Sequence, residues 1–556
     1  MTEVAKGGEP SCQILPAPVQ SVTADATSPA PGPAVPLPIG VAVQAIGVLT
    51  VAMIGSSISS QLVDLAIADV GGGFSVSADS ASWIACVATM AELAAIPLAA
   101  LLVRALSLRV VVIWTAGLYA LFAFASLNVA GEAGLLVLRA MQSFCSGLLS
   151  VLLFVTVMAS LPPGPRRLIG LTVFAFASSA PGALAASVGG VLTDGFGWQG
   201  LYYFDIAWSV TLLVLAAWLL RPAAPTMRLS EIDWVSYAVI AIGLAGLILF
   251  MKQGDRFFWL QNPTIERAAI LAAIAVPMAL VSLGSRKRPL IDLALLAKPS
   301  FGWAVTLATF YRFGLVMTAF VVPQLLTRLQ GDRMPEIGEA NIWMLWAECI
   351  AFPLAWFWAS RWDARQPLSL GLALFAIGAF ICTRLTPSWQ ASDFRLAMLV
   401  IGFGQGLFLV PTLFYATRDV APQQGPTAAT LFNLSRVVGQ TFGIAVIGSL
   451  ITWREKFHSS ILVDAFNNGN AAVAERFNGL VATFLALHGD RALAQSQAWQ
   501  LLSGLASNQS YVFAFADSFV IVACVLAASS VLVLMLPRLR EKRSATPATL
   551  PAGGPT

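Results

Sequence analysis

The chain has 556 residues, 58% of them hydrophobic and 11% charged, with a formal net charge of +4; its mean hydropathy is +0.79. A soluble globular domain carries about 25% charged residues, so this composition excludes one and leaves a polytopic, all-α membrane protein.

Taken in chain order, residues 1–38 are rich in Pro, Ala and Ser without periodicity and read as a disordered tail. No apolar core follows Lys6, as a cleaved signal peptide would require. From Ile39 onward, apolar runs of roughly the 20 residues needed to cross a bilayer recur. They are expected near 39–64, 81–103, 109–129, 134–158, 168–192, 200–220, 234–251, 267–284, 300–323, 340–360, 367–384, 395–417, 432–453 and 511–536. That is about fourteen spans, which puts both termini on one side.

The positive residues choose the side, because short loops carrying Lys and Arg stay in the cytoplasm. If the N-terminus is cytoplasmic, inner turns hold Arg104 and Arg109, Arg166 and Arg167, Arg221 and Arg228, Arg286 to Arg288, Arg361 and Arg365, and Arg418. The tail adds Arg538, Arg540, Lys542 and Arg543, while Lys252, Arg256, Arg328, Arg333 and Arg384 fall to outer loops. The expected orientation is therefore N-in, C-in.

Several chemistries find no support. The six cysteines form no Cys-x-x-Cys, fall mostly within spans and read as small core residues, neither a disulfide framework nor a metal site. His458 and His488 share one loop, and no Gly-x-x-x-x-Gly-Lys-Ser/Thr provides a site for ATP. No Ser/His/Asp set or metal cluster lies within the spans, so an enzyme is not expected. No nucleic-acid partner and no cofactor are expected either.

The stretch Leu138–Asp205 is the most informative. Arg139, Gln142 and Gly147 stand in Leu138-Arg-Ala-Met-Gln-Ser-Phe-Cys-Ser-Gly, inside an apolar span. An arginine at such depth costs roughly 2.5–3.5 kcal/mol on insertion scales and needs a partner or a task. The stretch continues through the hinge Leu161-Pro-Pro-Gly-Pro-Arg-Arg and a small-residue helix with Gly189 and Gly190, and ends in Trp198 and the aromatics at 202–204 before Asp205.

These residues resemble the major facilitator superfamily, and within it the fourteen-helix drug:proton antiporters of the EmrB/QacA type. Arg139, Gln142 and Gly147 match the Arg-x-x-Gln-Gly-x-x-x-Gly motif of the fourth helix, with Ser143 for the first glycine. Gly189 and Gly190 match the end of Gly-Pro-x-x-Gly-Gly in the fifth, with Ala185 and Ala186 for its Gly-Pro, and Asp205 stands where the family usually has Asn. The family's Leu-Asp-x-Thr-Ile-Val-Asn-Val-Ala-Leu-Pro pattern, aligned through Trp83, puts its Asp on Ser59 and its Asn on Asp64. In the loop Ala100–Arg109, Ala100, Arg104 and Ser107 replace the Gly, Asp and second Gly of the superfamily's cytoplasmic motif.

The resemblance implies a major facilitator fold: an N-terminal six-helix half (39–220), a linker with two extra helices (221–299) and a C-terminal six-helix half (300–536) that includes an outer loop, 454–510. A basic, disordered cytoplasmic tail (537–556) would follow. It also implies efflux of amphipathic organic compounds across a bacterial inner membrane, driven by the proton gradient as the halves rock about a central site. Partners would be a small-molecule substrate, membrane lipid, and a periplasmic adaptor with an outer-membrane channel. Two alternatives stay open: a dedicated exporter of one metabolite or siderophore, and a non-transporting sensor or scaffold on the same fold. In the outer loop, Phe477, Leu480, Val481 and Phe484 have helical spacing, for a helix lying on the leaflet or the protein's own surface, or for a docking site.

Ionisable residues inside spans are the candidates for coupling. Glu92, near mid-span, is expected to be a lone carboxyl that takes up and releases a proton; an acid held neutral and hydrogen-bonded only for packing is the alternative. Asp64, at the outer end of the first span, either shares this work or faces an outer vestibule. Arg139 lies at about the level of Asp64 and Asp205, counting 1.5 Å per residue. An arginine near two acids links proton release to conformational switching, the role the resemblance implies for Arg139; a static charge network is the alternative. Arg312 and Glu348, both near mid-depth, would form an ion pair or line the substrate cavity. Ser435, Gly439 and Gly443 beside Arg436 read as a packing stripe, and Asp517 has no assigned role. Phe and Trp, abundant in the spans, suggest an apolar, adaptable cavity whose acids attract cations.

Overall fold

The computed structural model describes residues 38–129, 131–286, 289–467 and 471–535. The expected tails therefore lie almost wholly outside the described residues. Fourteen helices, or helix pairs acting as one, are long and apolar enough to span a bilayer. The chain is a multi-pass membrane protein.

The N-terminal half comprises α1 (Ile39–Leu65), the short α2 (Ile67–Gly73), α3 (Ala78–Leu106), α4 (Leu108–Asn128), α5 (Glu132–Ser160), α6 (Pro165–Phe196) and α7 (Gln199–Leu219). The inserted pair is α8 (Trp234–Gln253) and α9 (Pro263–Ser285). The C-terminal half holds α10 (Pro299–Val316), α11 (Val322–Gln330), α12 (Met334–Arg361), α13 (Arg365–Cys382), α14 (Arg395–Arg418), α15 (Gly425–Asn467), α16 (Ala471–His488) and α17 (Arg491–Leu534). α10 and α11 form one span, joined by a π-helical turn, Met317–Val321. Pro323 lacks an N–H, which frees a carbonyl one turn earlier and permits such a widening, and π-turns of this kind recur at functional sites.

Sequence chemistry sets the helix ends. Asp233 caps α8, accepting from the Ser236 backbone N–H at 3.1 Å and from its hydroxyl at 2.7 Å, while Arg286 lies 2.5 Å away. The Ser236 hydroxyl first, with the Arg286 charge adding to it, holds this carboxyl below the usual range. Ser107, the single residue between α3 and α4, has φ +77°, a conformation that favours glycine, and the superfamily motif carries glycine at this place.

The region read as a long outer loop is largely helical instead. α15 and α17 run on well past the length of a bilayer span, and α16 packs against α17, with the rings of Phe477 and Trp499 4.6 Å apart. Short apolar spacing in the sequence could not reveal that the spans themselves continue as helices, because the polar residues beyond the membrane are good helix formers.

The halves meet along α6 and α12, with further contacts from α14 to α6 and from α15 to α5 and α3. Small residues allow the closest approach. A Cβ on Gly190 would lie 2.8 Å from Pro335 Cα, one on Gly338 2.6 Å from the Ser187 nitrogen, and one on Gly189 would collide with Met334. On the side of the chain ends, Phe432 of α15 sits against Phe154 of α5 (6.0 Å) and Phe174 of α6 (6.3 Å), all three rings buried.

The α6–α12 packing sets a stability prediction. Gly338→Val should lower stability by about 1–3 kcal/mol through overpacking, read as a lower Tm of the purified protein in detergent. Gly47→Ala, at a site with nothing within 4 Å of the added Cβ, should leave Tm unchanged or raise it slightly. Equal Tm values for Gly338→Val and the unmutated protein would contradict the packing described.

Candidate functional site

Between the halves lies a cavity of about 130 Å³, continuous with an outer lobe of about 390 Å³ through shared residues such as Gln61, Asp64, Lys252 and Gln440. Ile67, Ser82, Arg256 and Gln324 line the outer lobe, which opens on the side opposite the chain ends. The Phe154–Phe174–Phe432 cluster packs together toward the other side. The inner wall is rich in hydroxyls and amides, among them Ser60, Ser150, Gln405 and Thr441, with Leu315, Met344, Val437 and Ile444 as its apolar part. No aromatic residue is among those lining the inner lobe, and Phe320 lines the outer one. The expected apolar cavity is thus corrected: the inner lobe is lined largely by polar side chains, and Phe rings such as Phe154, Phe174 and Phe432 pack against one another between helices.

Glu92 reaches this cavity from α3, and it is not alone. Arg436 of α15 donates to its carboxylate at 2.8 Å, and both side chains are mostly buried. The pair joins the two halves at mid-depth. Gly147 seats it: a Cβ there would strike the Glu92 carbonyl, so this motif glycine lets α5 lie directly against α3 behind the acid. The sequence reading names Arg436 only as the neighbour of a packing stripe and assigns it no role. Its signal was its charge at mid-span, the same signal that singled out Arg139 and Arg312.

Asp64 lies at the outer rim, its side chain 45% exposed, 3.9 Å from Lys252. Lys252 also donates to the Ala85 carbonyl at 3.1 Å. The expectation that Lys252 sits in an outer loop is corrected: it belongs to the last turn of α8 and lines both lobes. The insertion also ties itself to both halves nearby, through Gln253 and Ser82 (3.1 Å), Arg256 and Asp79 (2.6 Å), and Thr452 of α15, which donates to Asp255 at 3.2 Å.

A second polar cluster is buried within the N-terminal half. Arg139 is 1% exposed and donates to the Ser59 and Ser60 carbonyls, each at 3.4 Å. Gln142 donates to Asp205 at 3.4 Å, and Tyr119 shares a 2.5 Å hydrogen bond with Ser59. Asp205 and Asp64 lie within electrostatic reach of Arg139, yet among the described residues neither forms an ion pair with it. The sequence placed these residues at one level; side-chain direction keeps the charges apart. Among the described residues, Arg139 Nε, Asp205 Oδ1, Gln142 Oε1 and Tyr202 OH have no hydrogen-bond partner.

The proposed Arg312–Glu348 ion pair does not form. Glu348 is fully buried behind the cavity wall, where Oε1 accepts from Ser179 at 2.6 Å, and Gln405 donates in turn to the same Ser179 hydroxyl. This chain, Gln405–Ser179–Glu348, is a further bridge between halves, from α14 and α12 to α6. Arg312 lines the cavity instead. Side chains of α10 and α12 at equal depth face different surfaces, which depth counting cannot resolve. Gly189 and Gly190 lie outside the cavity and serve the α6–α12 contact. Asp517 accepts from Arg454 at 2.6 Å and lies 2.8 Å from His458, beyond the site. The described residues hold no cluster of His, Cys, Asp or Glu fit for a metal ion.

Two helical halves around a polar, charge-bearing cavity at mid-depth are the architecture of a membrane transporter. Residues 46–335, just over half of the chain, match the Major Facilitator Superfamily, and the chain belongs to that superfamily. It is 23% identical to the colistin resistance protein EmrB of Acinetobacter baumannii, over 76% of this chain and 83% of that protein. It is 22% identical to the multidrug export protein EmrB of Escherichia coli K12, over 78% and 86%. Its fold is similar to the solved structure of the proton:xylose symporter XylE bound to 6-bromo-6-deoxy-D-glucose, with a TM-score of 0.55 at 12% identity, covering 89% of this chain and 96% of that one.

The Glu92–Arg436 bridge is open to a double-mutant cycle. Thermal stabilities of Glu92→Gln, Arg436→Gln and the double variant should give a coupling of about 0.5–3 kcal/mol, as residues in direct contact do. Strict additivity would mean that the two side chains do not meet in the protein.

Proposed function

We propose that the protein exports amphipathic organic compounds or drugs by alternating access, in exchange for protons. The observation that carries this reading is the Glu92–Arg436 pair, a titratable contact joining α3 and α15 in the wall of the cavity. Protonating Glu92 leaves the Arg436 cation without its carboxylate, and losing the proton restores the pair. The protonation state of one side chain thereby biases the relation of the two halves, which is what coupling requires. Asp64 sits at the cavity mouth as the acid a proton meets first, and the Arg139–Asp205 cluster responds behind it. The names of the two relatives described above support drugs as the cargo class.

In this reading the cavity opens outward, both termini lie in the cytoplasm and the membrane is the bacterial inner membrane. The extended α15, α16 and α17 then project on the outer side, where a periplasmic adaptor and an outer-membrane channel would engage. The polar lining favours one second reading, a dedicated exporter of a single metabolite or siderophore.

Purified protein in liposomes with an inward-acidic pH gradient provides the test, with ethidium and internal pH followed together. The expected result is gradient-dependent uptake of at least one compound of an amphipathic panel that includes ethidium, with matching proton efflux, abolished by Glu92→Gln and weakened by Asp64→Asn. Transport in which no unrelated compound competes would favour the dedicated exporter. Absence of flux across a broad compound panel would sink the efflux reading.

A further inference from the structure

Five charged side chains line the inner lobe of the cavity: Asp64, Glu92, Lys252, Arg312 and Arg436. Two carboxylates meet two cations, Asp64 with Lys252 at 3.9 Å and Glu92 with Arg436 at 2.8 Å. Arg312 is the fifth. Among the described residues it has no ion pair and no hydrogen bond, and its guanidinium lies 5.6 Å from the ring centroid of Tyr311. The residue is only 7% exposed, and what is exposed faces the cavity. Burying an arginine this deeply without an anionic partner is costly, and the second cation within its electrostatic reach, Arg436, adds to the cost. Glu348 does not offset it, since that carboxyl is turned to Ser179 behind the wall.

We propose that Arg312 is the binding residue for an anionic group of the cargo, and that the protein carries amphipathic organic anions such as carboxylates and sulfonates. This rests on the efflux reading above and names the substrate class for the same cavity. A guanidinium offers a planar fork of donors that matches a carboxylate. Gln440 and Thr441 of α15 offer further amide and hydroxyl donors nearby. Leu315, Met344, Val437 and Ile444 form the apolar surface for the body of the molecule. The sequence suggested the opposite cargo, cations drawn by Glu92 and Asp64, but both acids already hold basic partners. In the inner lobe an anion finds an unengaged arginine, whereas both carboxylates there already face a cation.

The probes are radiolabelled 1-naphthoate and its neutral isostere 1-naphthamide, bound to the purified protein in detergent, with ethidium flux measured in proteoliposomes of the same preparation. Naphthoate should bind the unmutated protein about tenfold or more tighter than the amide, in line with a charge-assisted hydrogen bond. Arg312→Gln should remove most of that ratio and Arg312→Lys should keep part of it, each variant checked for folding by Tm. Equal binding of acid and amide by the unmutated protein would overturn the proposal without any variant, as would an undiminished ratio in folded Arg312→Gln. Ethidium flux without naphthoate preference would refute the anion site and leave efflux standing. Naphthoate preference lost in Arg312→Gln, with no gradient-driven flux of either compound, would support the site and count against the efflux reading.

Discussion

The structure depends on how a charge-poor bundle satisfies the few charges it keeps inside. In a bilayer, a charged side chain must face the bundle interior and find a partner there. In this protein the partners come largely from the other half: Glu92 of α3 meets Arg436 of α15, and Glu348 of α12 meets Ser179 of α6, which Gln405 of α14 also contacts. The polar contacts that relieve the cost of burial are therefore the same contacts that cross between halves. Breaking them has a price in energy, and protons and ligands can change it.

Packing between the halves uses the opposite chemistry. Lipid supplies no hydrophobic drive to bring two apolar helices together, so close approach relies on small residues and van der Waals fit. Gly189 and Gly190 of α6 and Gly338 of α12 meet this need beside Met334, Pro335 and Ser187. The interface thus combines close, glycine-lined packing at one place with a polar bridge at another.

The inserted helices α8 and α9 are part of this arrangement. α8 packs on α3, places Lys252 in the cavity wall and, with the residues that follow it, reaches α15 through Asp255. Tyr237 further donates to the Ala94 carbonyl near the next turn after Glu92. Movement of one half against the other must therefore break or carry the insertion's contacts. Within the N-terminal half, Arg139, Gln142, Tyr202 and Asp205 are gathered in the buried interior, where Gln142 donates to Asp205 and each of the four keeps a polar atom without a partner among the described residues.

The sequence by itself determined the class, the number of spans and most of their limits, because bilayer thickness and backbone hydrogen bonding leave a chain of this composition few choices. It also singled out Glu92, Asp64, Arg139 and Arg312, since a charge in an apolar run stands out without any structure. Tertiary structure alone decided who meets whom. Depth can be counted along a helix, but the direction of a side chain depends on how each helix is rotated and tilted against its neighbours. Glu92 thus found Arg436, Lys252 moved from a loop to the cavity, and Arg312 was left facing the cavity without Glu348. Such pairings join residues far apart in the chain, 344 positions for Glu92 and Arg436, and no local pattern in the sequence records them.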